Sequence, residues 1–203
     1  MMSERTSEFA ARAFVGALNA QLSVYLLGDF LRTGKLTAVL LLLSESLVVF
    51  FTIFRRPAQM VDRSLPARLV TAAAVVGPAL LRPVDNAGLV ADSVTAVIVA
   101  AGVAVVILAK LTLGRSFGIA PANRGVVATG PYSIVRHPIY AGYLVTHAAF
   151  LVAHPTLWNL AVIAICDTSQ IIRTSFEERT LSNDEQYRHY CERVGWRLLP
   201  GVY

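Results

Sequence analysis

Long apolar runs separated by short polar stretches dominate the first half of the chain. Their lengths lie near the roughly 20 residues that an α-helix needs to cross a hydrocarbon core of about 30 Å. The four runs are Phe14–Leu31, Leu36–Phe54, Ala67–Leu81 and Leu89–Lys110. No stretch shows the alternation of apolar and polar residues that is typical of strands. The pattern therefore predicts four membrane-spanning helices within residues 1–112.

Two shorter apolar runs follow in the second half. Ile139–Ala153 and Leu157–Ile172 have about 15 residues each, which is marginal for an upright span, and only His154-Pro155-Thr156 separates them. So brief a break predicts an antiparallel helical hairpin whose two members shield each other. The predicted fold class is all-α: a polytopic membrane helical bundle with about five or six transmembrane segments. Residues 1–112 form its N-terminal transmembrane bundle, and residues 113–203 form a second region.

Composition also favours a membrane protein. Of the 203 residues, 55% are hydrophobic and 15% are charged, whereas about a quarter of an ordinary soluble domain is charged. The N-terminus mixes acidic and basic residues and shows no small-residue cleavage site before a short apolar core, so we expect no removable signal peptide. Cys166 and Cys191 offer neither a disulfide framework nor metal-ligand spacing, and we expect no metal site.

The basic residues are distributed unevenly among the predicted loops. With the N-terminus in the cytoplasm, 15 of the 18 basic residues, Lys110 and Arg136 among them, fall on the inner side. Only Arg32, Lys35 and Arg82 then fall outside. Because cytoplasmic loops carry the excess of Lys and Arg, we expect both termini inside. An anionic inner leaflet explains the net charge of +5, without a nucleic acid partner.

A charged tail follows the predicted hairpin. Ser182 and Glu185 fit a capping box, in which the serine is the N-cap and the glutamate is at N3. A short helix should follow, with one apolar stripe on an otherwise charged surface. The stripe consists of Tyr187, Tyr190, Cys191 and Val194. We expect this amphipathic helix to lie against the cytoplasmic end of the bundle.

Chemically versatile side chains gather where the hairpin begins. Pro138 disfavours a helical conformation at His137 and suits the first helical position, so Arg136 and His137 should stand at a helix N-terminus. The first hairpin helix carries Tyr140, Leu144, His147 and Leu151 on one face, and the second carries Asp167, Gln170, Thr174, Glu177 and Leu181. Where the two helices converge, Arg136 and His137 should meet Glu177 and Glu178 in a pocket of mixed charge.

Simpler interpretations of these residues stay open. Arg136 could be an interfacial anchor whose charged head reaches water, and the two glutamates could form a solvated helix end. The remaining histidines fit structural roles better than metal ligation, since no ligand spacing accompanies them. Glu45, within the second apolar run, is either a helix-packing hydrogen-bond partner or a substrate contact, because a carboxyl at that depth is costly.

The ordered motifs of the last ninety or so residues resemble those of a known group of enzymes. These motifs are Gly130-Pro131-Tyr132, the stretch RHPIYAG from Arg136, Glu177-Glu178 and the spaced pair Tyr187 and Tyr190. They are similar to the integral-membrane methyltransferases related to isoprenylcysteine carboxyl methyltransferase and the phospholipid methyltransferases. Residues 113–203 would then be the cofactor-binding methyltransferase region.

The resemblance implies that S-adenosylmethionine binds at the cytoplasmic face. The cofactor-binding residues that it implies are Gly130, Tyr132, Val135, His137, Tyr140, Leu144, Glu177 and Leu181. The catalytic residues would be Arg136, His137 and Glu178, and the substrate contacts would be Arg136, Arg173 and Glu45. This assignment is chemically reasonable, because carboxylates and aromatic faces hold a sulfonium cation and arginine holds a carboxylate.

Several acceptors remain compatible with this reading. We expect a lipophilic acceptor from the bilayer, foremost an isoprenylcysteine-like carboxylate, since a carboxylate needs an arginine to steer it rather than a base. A phospholipid amine or a small thiol is the alternative, and an amine would need Glu178 or His137 as a base. Two other classes are an NADPH-dependent sterol-type reductase and a non-enzymatic scaffold or transporter, in which Arg136 and Glu177 form a structural ion pair.

Overall fold

The computed structural model describes residues 36–82, 84 and 88–203, together with residues 17, 23, 24, 27, 28 and 31. Six α-helices lie in residues 36–203 of this described part. They are α1 (Leu36–Phe54), α2 (Leu65–Val76), α3 (Asp92–Leu113), α4 (Pro138–Ala153), α5 (Leu157–Leu181) and α6 (Glu185–Arg193). Short 3₁₀ helices cover Gly77–Leu80, Gly114–Ser116 and Gly130–Ser133. The predicted run Phe14–Leu31 lies largely outside the described residues.

The predicted helical character is confirmed wherever the structure describes the apolar runs. The bounds of α1 coincide with the predicted run, and α2, α3 and α4 begin within three residues of their predicted starts. In the described part, one helical stretch, Ser93–Ser116, is long and apolar enough to cross a membrane. The apolar helices Leu42–Phe54, Leu65–Leu80 and Pro138–Ala153 are shorter. The complete membrane bundle therefore stays a prediction, as does the boundary between residues 112 and 113.

A pair of two-residue strands departs from the all-α prediction. Met60–Val61 (β1) pairs antiparallel with Ala122–Asn123 (β2), and Met60 lies opposite Asn123. Such short strands carry too few residues to show an alternating pattern, so no signal in the sequence announces them. Their pairing ties the α1–α2 connection to the loop that follows α3.

The second hairpin helix extends beyond its apolar run. Helix α5 continues nine residues past Ile172, to Leu181, so it carries the predicted polar line that includes Thr174, Glu177 and Leu181. It continues because Arg173, Thr174 and Glu178 are buried by tertiary contacts. A purely apolar run could not reveal this, since those residues are polar.

The predicted capping box was wrong. Ser182 ends α5, and its hydroxyl donates to the carbonyl oxygen of Glu178. The N-cap of α6 is Asp184, whose carboxylate accepts from the backbone N–H of Gln186 at 2.9 Å. Because α5 ends at Leu181, the serine lies at the end of α5 and the cap moves two residues along the chain.

Helix α4 packs extensively on α3 and only sparsely on α5. Glycines permit the first contact: a Cβ on Gly142 would lie 2.8 Å from the carbonyl oxygen of Gly102 and 2.6 Å from a methyl of Val106. Helices α4 and α5 form the predicted antiparallel pair, but they do not shield each other as expected, because α4 packs mainly on α3 and α5 mainly on α2. Polar side chains, among them Tyr140 and Glu177, make contacts between the two helices.

Candidate active site

The segment before α4 is held by the tail of the chain. His137 is the N-cap of α4, and Pro138 occupies its first helical position. The backbone N–H of Arg136 donates to the carbonyl oxygen of Trp196 at 2.9 Å, and that of His137 donates to the carbonyl oxygen of Arg197 at 2.9 Å. These bonds fix both side chains toward α5.

Glu178 is the centre of one group of charges. Its Oε1 lies 3.0 Å from Nη1 of Arg136 and 3.2 Å from Nε2 of His137. Its Oε2 accepts from Nε of Arg197 at 2.9 Å. Two arginines and a histidine therefore surround a single carboxylate, which is 10% exposed. Glu178 is thus a paired carboxylate and not a solvated helix end.

Glu177 forms a second group beside the first. Its Oε1 accepts from the hydroxyl of Tyr140 and lies 3.6 Å from Nη2 of Arg173. Its Oε2 lies 3.6 Å from Nδ1 of His137. The guanidinium of Arg173 also lies 4.9 Å from the centre of the Tyr140 ring. Because His137 contacts both glutamates, it joins the two groups into one.

We call this combined set the charge cluster. It consists of Arg136, His137, Arg173, Glu177, Glu178 and Arg197. The structure thus brings the predicted residues from the start of α4 together with those from the end of α5. Three arginines and one histidine face two carboxylates, so cations outnumber anions.

The surroundings keep the acidic groups ionised. Burial would raise the pKa of Glu178, but the hydrogen bond from His137 and the charges of His137, Arg136 and Arg197 lower it below its ordinary value. The pKa of Glu177 is lowered in the same way against burial, chiefly by His137 and Arg173. Burial would lower the pKa of His137, yet the two glutamates raise it. Carboxylates with lowered pKa values are weak bases.

The other predicted cofactor contacts lie around the charge cluster. Tyr132 and Val135 are buried, and the hydroxyl of Tyr190 donates to the Tyr132 carbonyl oxygen at 2.7 Å. Leu144 and Leu181 pack on the same hydrophobic cluster as Tyr132 and Tyr140. Gly130 has a φ of +57°, which favours glycine, and a Cβ there would lie 3.1 Å from the Thr112 hydroxyl.

One expectation of the scaffold alternative needs correction. The ion pair that it places between Arg136 and Glu177 is wrong, since Arg136 pairs with Glu178 and Glu177 pairs with Arg173. Sequence reasoning also missed Arg197, which binds Glu178 from the tail. Its position directly before an apolar Leu-Leu pair was the only local signal, and that signal is weak. The side chain of Glu45 lies outside the described residues, and its predicted substrate contact stays a prediction.

The comparisons with known proteins identify the family. Residues 85–188, just over half of the chain, match the model of a family described as phospholipid methyltransferase. The chain belongs to the phospholipid methyltransferase family. This family lies in the superfamily of membrane methyltransferases that includes isoprenylcysteine carboxyl methyltransferase. A comparison with curated proteins gives no match.

The family membership makes the chain a methyltransferase, and it favours that class over the reductase and the scaffold. The matched residues contain α3, α4, α5 and the start of α6. They include five members of the charge cluster. Arg197 lies beyond the match, so its contact with Glu178 comes from the structure alone. No group of metal-ligating side chains is present in the described part of the chain.

The residues present fit a sulfonium cofactor with an amino-acid end. Within the described part, the buried Nε atoms of Arg136 and Arg173 have no hydrogen-bond partner, and neither has the buried hydroxyl of Tyr187. Such donors suit a carboxylate and ribose hydroxyls. The ring of Tyr140 and the carboxylate of Glu177 suit a positive charge. A separate surface depression of about 340 Å³, lined by Asp184 among others, contains no member of the charge cluster.

Proposed function

We propose that the protein transfers the methyl group of S-adenosylmethionine to the carboxylate of a lipophilic acceptor. The observation that carries the proposal is the state of the two glutamates. Glu177 and Glu178 are each paired with cations, and the pKa of each is lowered. Neither is a good base for an amine. A carboxylate acceptor needs no base, because it is already the nucleophile at neutral pH.

The balance of charge favours the same acceptor. Three arginines and His137 exceed two carboxylates, so the charge cluster favours the approach of an anionic group. Glu178 contacts Arg136 and Arg197 rather than open solvent. We infer that it is a positioning residue, which holds the two guanidinium groups in place. Arg136 would contribute by orienting the carboxylate of the cofactor's amino-acid end, because an in-line displacement depends mainly on the positions of its reactants.

The chain's own residues divide into cofactor contacts and orienting groups. Arg136 would hold the carboxylate of the cofactor's amino-acid end, and Glu177 with Tyr140 would hold its cationic centre. Tyr132, Val135, Leu144 and Leu181 would exclude water around it. When bound, the cofactor supplies an electrophilic methyl group and leaves as a neutral thioether. We place this site at the cytoplasmic face, on the side where the basic residues gather.

A second candidate is N-methylation of a phospholipid amine. The observation that favours it is the description of the matched family, which names phospholipids. In that reaction a base must remove a proton from the ammonium group. The raised pKa of His137 makes its protonated form more abundant and leaves it poorly suited as that base.

The test is methyl transfer from S-adenosylmethionine labelled in its methyl group, with detergent-purified protein. One acceptor is an S-farnesylated cysteine derivative with a free carboxylate, and the other is phosphatidylethanolamine in mixed micelles. A methyl ester releases labelled methanol in mild alkali, whereas an N-methyl or S-methyl product keeps its label. We expect alkali-labile label on the carboxylate acceptor. Alkali-stable label on phosphatidylethanolamine alone would replace the proposal by its alternative.

Cofactor binding is measured separately by calorimetry. We expect binding of S-adenosylmethionine to the wild type and a loss of at least tenfold in Glu177→Gln, which removes the charge beside the cationic centre. The matched control is Glu185→Gln, since the side chain of Glu185 is 78% exposed on α6. Equal binding by the wild type and Glu177→Gln would refute the assigned role of Glu177. Binding of NADPH in place of the methyl donor would contradict the proposed cofactor.

A further inference from the structure

Lys110 is a buried cation outside the charge cluster. It was expected at the inner end of the fourth span, and it lies on α3, three residues before the end of that helix, where its side chain has no exposed surface. Its Nζ donates to the carbonyl oxygen of Ser44 at 3.0 Å and to the Ser44 hydroxyl at 2.9 Å. It also lies 5.5 Å from the centre of the Tyr143 ring. A buried ammonium is costly and commonly marks a functional site.

The two cationic regions differ in their anionic partners. Within the charge cluster, Arg136, Arg173 and Arg197 each lie within 4.0 Å of a glutamate oxygen. Lys110 has no carboxylate that close among the side chains that the structure describes. Its described contacts are Ser44 and the face of Tyr143, neither of which carries a full negative charge. An anion that reaches Lys110 would therefore gain more than one that reaches an already paired arginine.

Lys110 also lies next to the proposed methyl-transfer site. Tyr143 is one helical turn along α4 from Tyr140, which binds Glu177. On α3, Val106 and Ala109 belong to the same buried cluster as Tyr132 and Tyr140. A group bound at Lys110 would thus lie beside the aromatic residues assigned to the cofactor.

The flanks of this position are apolar and exposed. Leu108 and Leu111 on α3 are 56% and 53% exposed, and Leu43, beside Ser44 on α1, is 48% exposed. A lipid with an anionic group could place its head at Lys110 while its hydrocarbon part covers these leucines. A soluble anion would gain nothing from such flanks.

We propose that Lys110 binds the anionic group of the lipid acceptor. For an acid acceptor this group is the carboxylate, and for a phospholipid it is the phosphate. The inference rests on the proposed function only in that the acceptor is a lipid with an anionic group. The sequence predicts that Arg136 and Arg173 contact the acceptor, whereas the proposal assigns that role to Lys110 on α3 instead. Ser44 would be the positioning residue that directs the ammonium group.

The test measures equilibrium binding without turnover. The probes are the S-farnesylated cysteine derivative with a free carboxylate and its primary amide, which has the same shape and no charge. We expect the wild type to bind the acid roughly 10- to 100-fold more tightly than the amide, as a charged hydrogen bond would give. In Lys110→Met the two probes should bind equally, at the affinity of the amide. Lys110→Arg should keep part of the preference.

Matched controls separate this role from a structural one. Leu111→Met changes an exposed neighbour on α3 and should keep the preference for the acid. Calorimetric binding of S-adenosylmethionine to Lys110→Met shows whether that variant is folded. If it is not folded, Ser44→Ala serves instead, and it should reduce the preference severalfold. A folded Lys110→Met that keeps the full preference for the acid would overturn the proposal.

The source of the anion is decided by a second pair of probes. These are phosphatidylethanolamine and a diacylglycerol, in mixed micelles of the same detergent. A preference for the acid over its amide, or for phosphatidylethanolamine over the diacylglycerol, that Lys110→Met abolishes supports the proposal and identifies the carboxylate or the phosphate as the bound group. If the wild type shows neither preference, the proposal is contradicted. Absence of alkali-labile product with an intact Lys110-dependent preference would contradict only the carboxylate acceptor.

Discussion

The two sides of α4 are built differently. Toward α3, Gly142 allows the backbones to approach so closely that a Cβ would meet the carbonyl oxygen of Gly102 at 2.8 Å. Toward α5, α4 makes fewer close backbone contacts, and polar pairs span the separation. Tyr140 binds Glu177, and His147 binds Asp167 at 2.6 Å. Shape therefore fixes one interface, whereas charge and hydrogen bonding organise the other, and the proposed chemistry lies on the second.

Glu178 provides the strongest test of the polar side. Glu178→Gln keeps the shape but leaves Arg136, Arg197 and His137 without their shared carboxylate. Breaking a buried ion pair by removing one partner costs about 3–5 kcal/mol, and we expect a loss of that size in the free energy of unfolding. Denaturant titration in detergent measures it. The control, Glu185→Gln, should have a free energy of unfolding within about 0.5 kcal/mol of the wild type. An equally small change in Glu178→Gln would mean that the ion pairs of Glu178 contribute little to stability.

The pair of His147 and Asp167 is the next test. A hydrogen bond to a charged group contributes about 1.5–3 kcal/mol, so His147→Phe and Asp167→Asn should each reduce the free energy of unfolding by that amount. Because the two residues contact each other, their effects should not add in the double variant. Full additivity would show that the contact is energetically unimportant. His189→Phe, which removes an exposed histidine, is the comparison variant.

Substitution of Gly142 probes the α3 side. In Gly142→Ala the added methyl group should push the two helix backbones apart, which lowers the free energy of unfolding by about 1–3 kcal/mol. The higher helix propensity of alanine raises it by about 1 kcal/mol. We therefore expect a net loss of about 1 kcal/mol, measured as a lower melting temperature. Gly195→Ala is the control, since no atom lies within 4 Å of its Cβ position. A rise in melting temperature in Gly142→Ala would show that the helices can separate without cost.

The pH dependence of stability should be the smallest effect, and it belongs to the polar side alone. The pKa of His137 is raised in the folded protein from its ordinary 6.5. Its contribution to stability is therefore complete below about pH 6.5 and is lost as the pH rises through the pKa of the folded state. The pKa values of Glu177 and Glu178 are lowered from 4.5, so their contribution is complete above that pH and is lost as the pH falls through their folded values.

Together these shifts predict greatest stability between about pH 4.5 and 6.5, with a decline on the alkaline side. Melting temperatures from pH 4 to pH 9 measure it. The decline should disappear in His137→Gln, which cannot titrate. An unchanged alkaline decline in that variant would assign the effect to another group.

The apolar helices were predictable because their signal is local. A run of apolar residues of sufficient length indicates a helix whatever it packs against, and α1 to α4 begin within three residues of the starts of those runs. The convergence of Arg136, His137, Glu177 and Glu178 was predictable in part, since residues at helical spacing on two joined helices can meet. The pairing within that set was not, because it depends on distances of a few ångströms.

The features that sequence reasoning missed depend on contacts far apart in the chain. Arg197 reaches Glu178 because the tail returns along the segment before α4. Lys110 is buried because α1 supplies Ser44, 66 positions earlier in the chain. None of these contacts produces a periodic pattern that could be seen in one stretch.

The sequence by itself determined that this is a helical protein, where most of its helices lie, and which methyltransferase motifs it carries, because length, hydrophobicity and motif order are properties of the chain. Only the tertiary structure decided which glutamate pairs with which arginine, and that one lysine lies buried apart from them. The physical reason is that ionic interactions and burial depend on where side chains lie in space. Residues that are remote in the sequence can share a charge only after the helices have packed.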